Sequence, residues 1–187
     1  MGWIILIIVV VLALLVAGAY NSLVTLKQRV NNGWSQIDVQ LQRRFDLIPN
    51  LVEAVKGYMS HESGTLEKVT ELRTSWANAK TTDEKMKLDG ELSGALKTIM
   101  AVSESYPDLK ANQNFISLQN DLKDTESKIA YSRQFYNDTV TMYNTKLEVF
   151  PSNIIASMFG FKPSTLFTVD SEDARKAVKV DFTSENK

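Results

Sequence analysis

Apolar residues fall in two regimes along this chain. From Trp3 to Ala19 the sequence reads WIILIIVVVLALLVAGA, without one polar side chain; from Leu23 onward apolar residues recur every three or four positions among polar ones. At about 1.5 Å per residue, a helix from Trp3 to Tyr20 spans roughly 25 Å, close to the hydrocarbon thickness of a bilayer. Trp3 and Tyr20 then stand at the two membrane interfaces, where amphipathic rings are favoured. A helix apolar on every face suits lipid better than the core of a small soluble domain. A secretory signal is the rival reading, and Ala17-Gly18-Ala19 imitates its cleavage site, but no basic residue precedes the run. The first regime, residues 1–20, is therefore expected to be a retained transmembrane anchor.

In the second regime Leu23, Leu26, Val30, Trp34, Ile37, Leu41, Phe45, Ile48, Val52, Val55 and Met59 form one stripe at helical spacing. The spacing predicts a long helix joined directly to the anchor, with a hinge at Phe45–Pro49 because Pro49 lacks an amide donor. Gly57 and Gly64 flank an expected break around His61. Leu66, Val69, Leu72 and Trp76 mark a shorter helix, and Lys80–Asp83 a loop with Thr82 or Asp83 as N-cap. Met86, Leu92, Leu96, Ile99 and Tyr106 mark the next helix, which Pro107 ends. A last long helix is expected from near Asp108, with Phe115, Leu118, Leu122, Ile129, Tyr136, Val140, Tyr143 and Leu147 as its stripe and Phe150-Pro151 as its close. Thr125 and Ser132 interrupt that stripe and imply looser packing or hydrogen bonds. Only Thr165–Val169 offers a brief strand pattern. Short connections favour antiparallel neighbours, so the fold class is all-α: an N-terminal transmembrane helix continuous with an antiparallel up-down helical bundle over residues 21–150.

Past Phe150 the texture changes. Ile154, Ile155, Met158, Phe159 and Phe161 crowd residues 151–169, a stretch too short to span a bilayer. It reads as a hydrophobic cap over the open end of the bundle, with interfacial membrane contact or a subunit interface as alternatives. Residues 170–187 are charged and read as a tail.

Charge and chemistry narrow the picture further. The chain carries 21 Lys and Arg against 22 Asp and Glu, all from Lys27 onward, so no long-range field marks a nucleic-acid binder. With no cysteine, disulfides and thiolate chemistry are excluded. Lys27 and Arg29 directly follow the anchor, and the positive-inside tendency favours a cytoplasmic body over an extracytoplasmic one. The lone histidine, in His61-Glu62, is followed by Thr65 where a zinc protease needs its second histidine. Gly33, Gly57 and Gly64 are isolated, so no phosphate loop forms. No catalytic residue, cofactor or metal is expected, and an enzyme is the least favoured class.

One polar constellation stands out: Asp38, Gln40, Gln42, Arg43, Arg44, Asp46 and Asn50. Asp38–Gln42 and Asp46–Asn50 are spaced i,i+4, and Arg43–Asp46 i,i+3. A solvated helix face is the plain reading. The functional one is a charge-paired contact to a neighbouring helix or subunit through arginine forks. Arg43 and Arg44 point about 100° apart, and with Leu41 and Phe45 in the stripe at least one of them belongs beside it.

The block WSQIDVQLQRRFDLIPNLVEAVKGY (Trp34–Tyr58) closely resembles the signature of the LemA family. So do YNSLVTLKQRV (Tyr20–Val30), RQFYNDTVTMYN (Arg133–Asn144), FPSNIIASMFGF (Phe150–Phe161) and KVDF (Lys179–Phe182). The resemblance implies a bacterial single-pass membrane protein with a helical bundle and a short outside amino terminus, and it implies no reaction. The expectation is a non-enzymatic scaffold of the bacterial inner membrane, in contact with lipid and with copies of itself. An adaptor or sensor whose bundle binds another protein or a small ligand is the alternative.

Overall fold

A computed structural model of the chain describes residues 1–59 and 63–168. Among them every regular element is helical, as the spacing predicts: α1 (Gly2–Asp46), α2 (Ile48–Lys56), α3 (Ser63–Asn78), α4 (Thr82–Ser103), α5 (Pro107–Ala111), α6 (Gln113–Glu148) and α7 (Ser152–Met158). The expected strand pattern at Thr165 and beyond forms no strand among the described residues, and Val169 lies outside them.

The apolar run and the first amphipathic stripe make one rod. Leu47, between α1 and α2, keeps helical angles (φ −75°, ψ −19°), so the hinge expected before Pro49 bends the helix without parting it. Gly2–Lys56 extends over 55 residues, roughly 80 Å at the helical rise. Its first part is long and apolar enough to cross a membrane. From Met1 to Gly18 every residue is exposed, and burial begins only at Leu23. There the stripe takes over: Leu23, Val30, Ile37, Leu41, Phe45, Ile48, Leu51, Val55 and Met59 are all buried.

The chain then runs back and forth beside this rod. Phe45 stacks on Trp76 of α3 at 4.5 Å between ring centroids. Lys68 of α3 faces Glu91 of α4, and Tyr58 accepts a hydrogen bond from Asn112 before α6 begins. Antiparallel α6 meets α1 along its length, with Trp34 against Tyr136 and Arg44 near Glu126. The two helices lie close at Gly33, where an added Cβ would lie 3.5 Å from Tyr136. Because α3 and α4 are shorter than α6, they flank α1 and α6 only at the far end. Nearer the anchor α1 and α6 run on as a pair.

The expected boundaries shift where local hydrogen bonding outranks periodicity. α4 is capped by Thr81, not Thr82 or Asp83: its hydroxyl accepts from the Glu84 amide while the Glu84 carboxylate accepts from the Thr81 amide. The last long helix starts at Gln113, not near Asp108, which sits in the separate α5. Asn112 breaks the path at ψ 119° and caps the amides of Asn114 and Phe115. α4 ends at Ser103, so Tyr106 lies past it, out of helical geometry (φ −119°, ψ 84°) ahead of Pro107. Gly57 does end α2, but Gly64 lies inside α3, and His61 is outside the described residues. Thr125 and Ser132 are buried, and Thr125 donates to the Asp121 carbonyl of its own helix.

After α6 the chain turns at a cis Phe150-Pro151 bond. Ser152 donates to the Lys146 and Val149 carbonyls, satisfying groups that the end of α6 leaves open. α7 ends in a Schellman motif: Gly160 takes φ +67°, its amide bonds Ser157 and that of Phe161 bonds Ala156. The chain thereby reverses into an extended strap, residues 161–167, beside the α1–α6 pair.

Candidate functional site

Arg44 lies one position before the stripe residue Phe45, so the helix turns it inward among apolar neighbours; it is 4% exposed. Its guanidinium donates to Asp89 Oδ1 at 2.8 Å and to the Ser93 hydroxyl at 3.0 Å, both on α4. Its second terminal nitrogen lies 2.9 Å from Glu126 Oε2 on α6, without hydrogen-bond geometry. Arg133, also on α6, binds the other oxygen of Asp89, whose side chain is wholly buried. Two guanidiniums and two carboxylates thus balance where α1, α4 and α6 face one another. Burial pushes the Asp89 carboxyl above its ordinary pKa, and Arg133 and Arg44 pull it back.

Around this cluster the other polar residues of the signature block divide. Asp38 is half-buried and pairs with Lys85 of α4 at 2.6 Å, and the Lys85 ammonium sits 4.9 Å from the Trp76 ring. Arg43, Asp46 and Asn50 are exposed. Asp46 accepts from Gln42, one turn back, at 2.9 Å; the pairings Asp38–Gln42, Asp46–Asn50 and Arg43–Asp46 do not form. The arrangement therefore joins Asp38 and Arg44 to α4 inside the bundle and leaves Arg43, Asp46 and Asn50 on its outside. Chemically it is a set of ion pairs around Asp89 in which Glu126 Oε2 and Arg133 Nε are left without a hydrogen-bond partner. His61 and Glu62 lie outside the described residues.

A second polar device was not visible from spacing alone. Asn137 donates to the Phe167 carbonyl at 3.0 Å and accepts from the Phe167 amide at 2.8 Å. Asn144 does the same with Ser164, both bonds at 2.9 Å. Tyr136 and Tyr143 donate to the Thr165 and Lys162 carbonyls. Each side-chain amide stands in for a neighbouring strand, so the strap's backbone is paired without a sheet. Phe167 is buried under the Arg133 guanidinium, 4.5 Å away, and stacks near Trp34. The available signal was the Tyr-Asn dipeptide repeated seven residues apart, two helical turns along one face.

Of the crowded apolar residues, Ile155 is buried with Leu23 and Ala156, and Phe161 packs against them. Ile154, Met158 and Phe159 are exposed.

The family model for the LemA family matches residues 33–182, which takes in the buried ion pairs, both asparagine latches and α7. The chain belongs to the LemA family. Among its relatives are Magnetosome protein MamQ 2 of Paramagnetospirillum magneticum, 26% identical over 79% of this chain, and Protein LemA of Metamycoplasma hominis, 28% identical over 74%. Magnetosome protein MamQ of Magnetospirillum gryphiswaldense is 25% identical over 76%. The matches span 64%, 64% and 62% of those relatives, so this chain covers a little under two thirds of their length. The LemA match also gives the quoted sequence blocks physical content. Trp34–Tyr58 supplies Arg44, Arg133–Asn144 supplies the latches and a second arginine, and Phe150–Phe161 supplies the turn and α7.

Proposed function

We propose that this LemA-family chain is a membrane-anchored helical scaffold without an enzymatic role, which associates laterally with copies of itself. Its body stands on the cytoplasmic side of the bacterial inner membrane. The observation that carries this reading is an apolar stripe on the outer face of α6. Tyr131, Phe135 and Met142 are 74%, 44% and 55% exposed, and at 100° per residue they fall within an arc of about 40°. An unbroken rod from the apolar segment into the bundle holds that stripe at one height. Copies fixed in one plane then meet at high effective concentration, so even a modest stripe suffices for association that depends on density. Relatives named for magnetosomes, a part of the cell rather than a reaction, support the same direction.

The adaptor or sensor reading draws on a different feature. An open groove between α1 and α6 next to the apolar segment is lined by Asn21, Thr25, Arg29, Met142 and Thr145, and it has room for a partner segment or small ligand. The mass of the chain in mild detergent separates the two. Multiples of 21.0 kDa are expected, falling to the monomer in Phe135→Glu with an unchanged melting temperature. A parent that stays monomeric at every concentration removes the scaffold.

A further inference from the structure

Among the described residues the outer face of α7 is left largely uncovered. Phe150 is 79% exposed, Met158 70%, Phe159 54% and Ile154 51%, while Ile155 and Ala156 on the inner face are buried. Four large apolar side chains at one corner of the body are unusual for a surface facing water alone. Their height is fixed by contact. The Phe159 ring lies 4.7 Å from that of Tyr20, and the Phe161 ring 5.8 Å from it. Tyr20 is the aromatic residue that closes the apolar segment. The exposed corner is therefore continuous with the end of the helix that crosses the membrane. Two lysines edge it: Lys162 is exposed in the next turn of chain, and the Lys27 ammonium lies 5.8 Å from the Phe161 ring. Aromatic and Met side chains edged by lysine are the composition of helices that lie in the headgroup layer.

We propose that α7 and Phe150 form a second membrane contact, a foot that rests in the headgroup layer of the leaflet where the transmembrane helix emerges. A seven-residue helix is too short to hold to lipid alone. Here the anchor makes its contact intramolecular, so a few buried side chains are enough. The consequence is mechanical: an anchor with one crossing point is free to tilt, and a foot set beside it fixes the tilt and the direction the body faces. Lipid is favoured over a second copy because the patch lies against the span itself, whereas the α6 stripe lies farther along the body. The inference does not depend on self-association.

The absence of cysteine allows a direct test. The Met158→Cys chain, labelled with an environment-sensitive fluorophore, is reconstituted into vesicles of phosphatidylethanolamine and phosphatidylglycerol at high lipid excess. Val10→Cys and Thr74→Cys serve as references for the mid-membrane and for water. A foot in the headgroup layer gives blue-shifted emission at 158, quenched more by nitroxides near the lipid headgroup than by those deep in the chains, and unchanged on further dilution with lipid. Emission like that of position 74 overturns the proposal. So does a blue shift that ignores lipid quenchers or fades on dilution, because a second copy is then the cover. Since Met158 makes little contact with the bundle, circular dichroism of the labelled chain is expected to match the parent. A helical loss would be met by repeating the measurement at Ile154→Cys.

Discussion

The two ends of the α1–α6 pair are organised by opposite means. Far from the membrane, α3 and α4 complete a bundle, and Arg44, Asp89, Glu126 and Arg133 lie within it, two of them almost wholly buried. Near the membrane, among the described residues, no long third or fourth helix joins the pair, only the short α7. A strap of extended chain takes their place, its backbone held by Asn137 and Asn144, and the apolar corner of α7 stays open. Taking Arg44 and Asp89 out of water offsets much of what their attraction contributes, so these ion pairs serve specificity more than stability. Apolar stripes tolerate sliding by a turn; an arginine fork does not. The far end therefore fixes how α1, α4 and α6 register. The near end fixes what the molecule presents to its surroundings.

The largest effect is expected from breaking the far end alone. Asp89→Ala leaves Arg44 and Arg133 buried without their shared carboxylate, a loss of about 3–5 kcal/mol. Thermal melting followed by circular dichroism should show the drop. A melting temperature within a degree or two of the parent would mean that the arginines reach water and the comparison fails. At the near end Asn137→Leu orphans the amide and carbonyl of Phe167, and the expected cost is smaller, about 1–3 kcal/mol. It should also be local. Hydrogen exchange is expected to rise at Ser164–Phe167 while the buried turns of α4 keep their protection. Exchange that rises everywhere would make the strap part of the folding core.

Much of this was open to reading from the sequence, and the limits are physical. The rod was legible because one stripe runs through the break at Leu47. That an arginine lies beside the stripe followed from the angle between Arg43 and Arg44. Its partners did not follow: Asp89 is 45 residues away from Arg44 in a helix whose polar positions all look alike until the tertiary register is known. Spacing points to Thr82 or Asp83 and to Asp108, whereas the caps are Thr81 and Asn112, because a cap is chosen by a side chain meeting an amide, a geometry that periodicity does not carry. Of the strap only the brief pattern at Thr165–Val169 shows in the sequence, because its backbone pairs with side chains of a helix 20 to 30 residues earlier and not with a second strand.

The smallest effect separates the two kinds of carboxylate within the far end. Amide bonds from Lys80 and Thr81 hold Glu84 below its ordinary value of 4.5, so its contribution is present above that value and fades as pH falls through the folded one. Asp89 is shifted the other way, chiefly by burial. Its contribution favours the fold below the ordinary value and weakens as pH rises through the folded one. Acidification should therefore move the amide resonances at Lys80–Glu84 before the core melts. Unfolding of the whole body with the same midpoint would show instead that the fold requires Asp89 ionised.

The claim at the centre of the account is that the outer stripe of α6 joins one copy to another in the membrane. In cells making the chain with one cysteine, at Tyr131→Cys, Phe135→Cys or, as a reference, Ala77→Cys on the exposed face of α3, a short thiol crosslinker reads that contact directly. Covalent dimers are predicted at positions 131 and 135 and not at 77. Crosslinking that is absent at all three, or equal at all three, contradicts the claim.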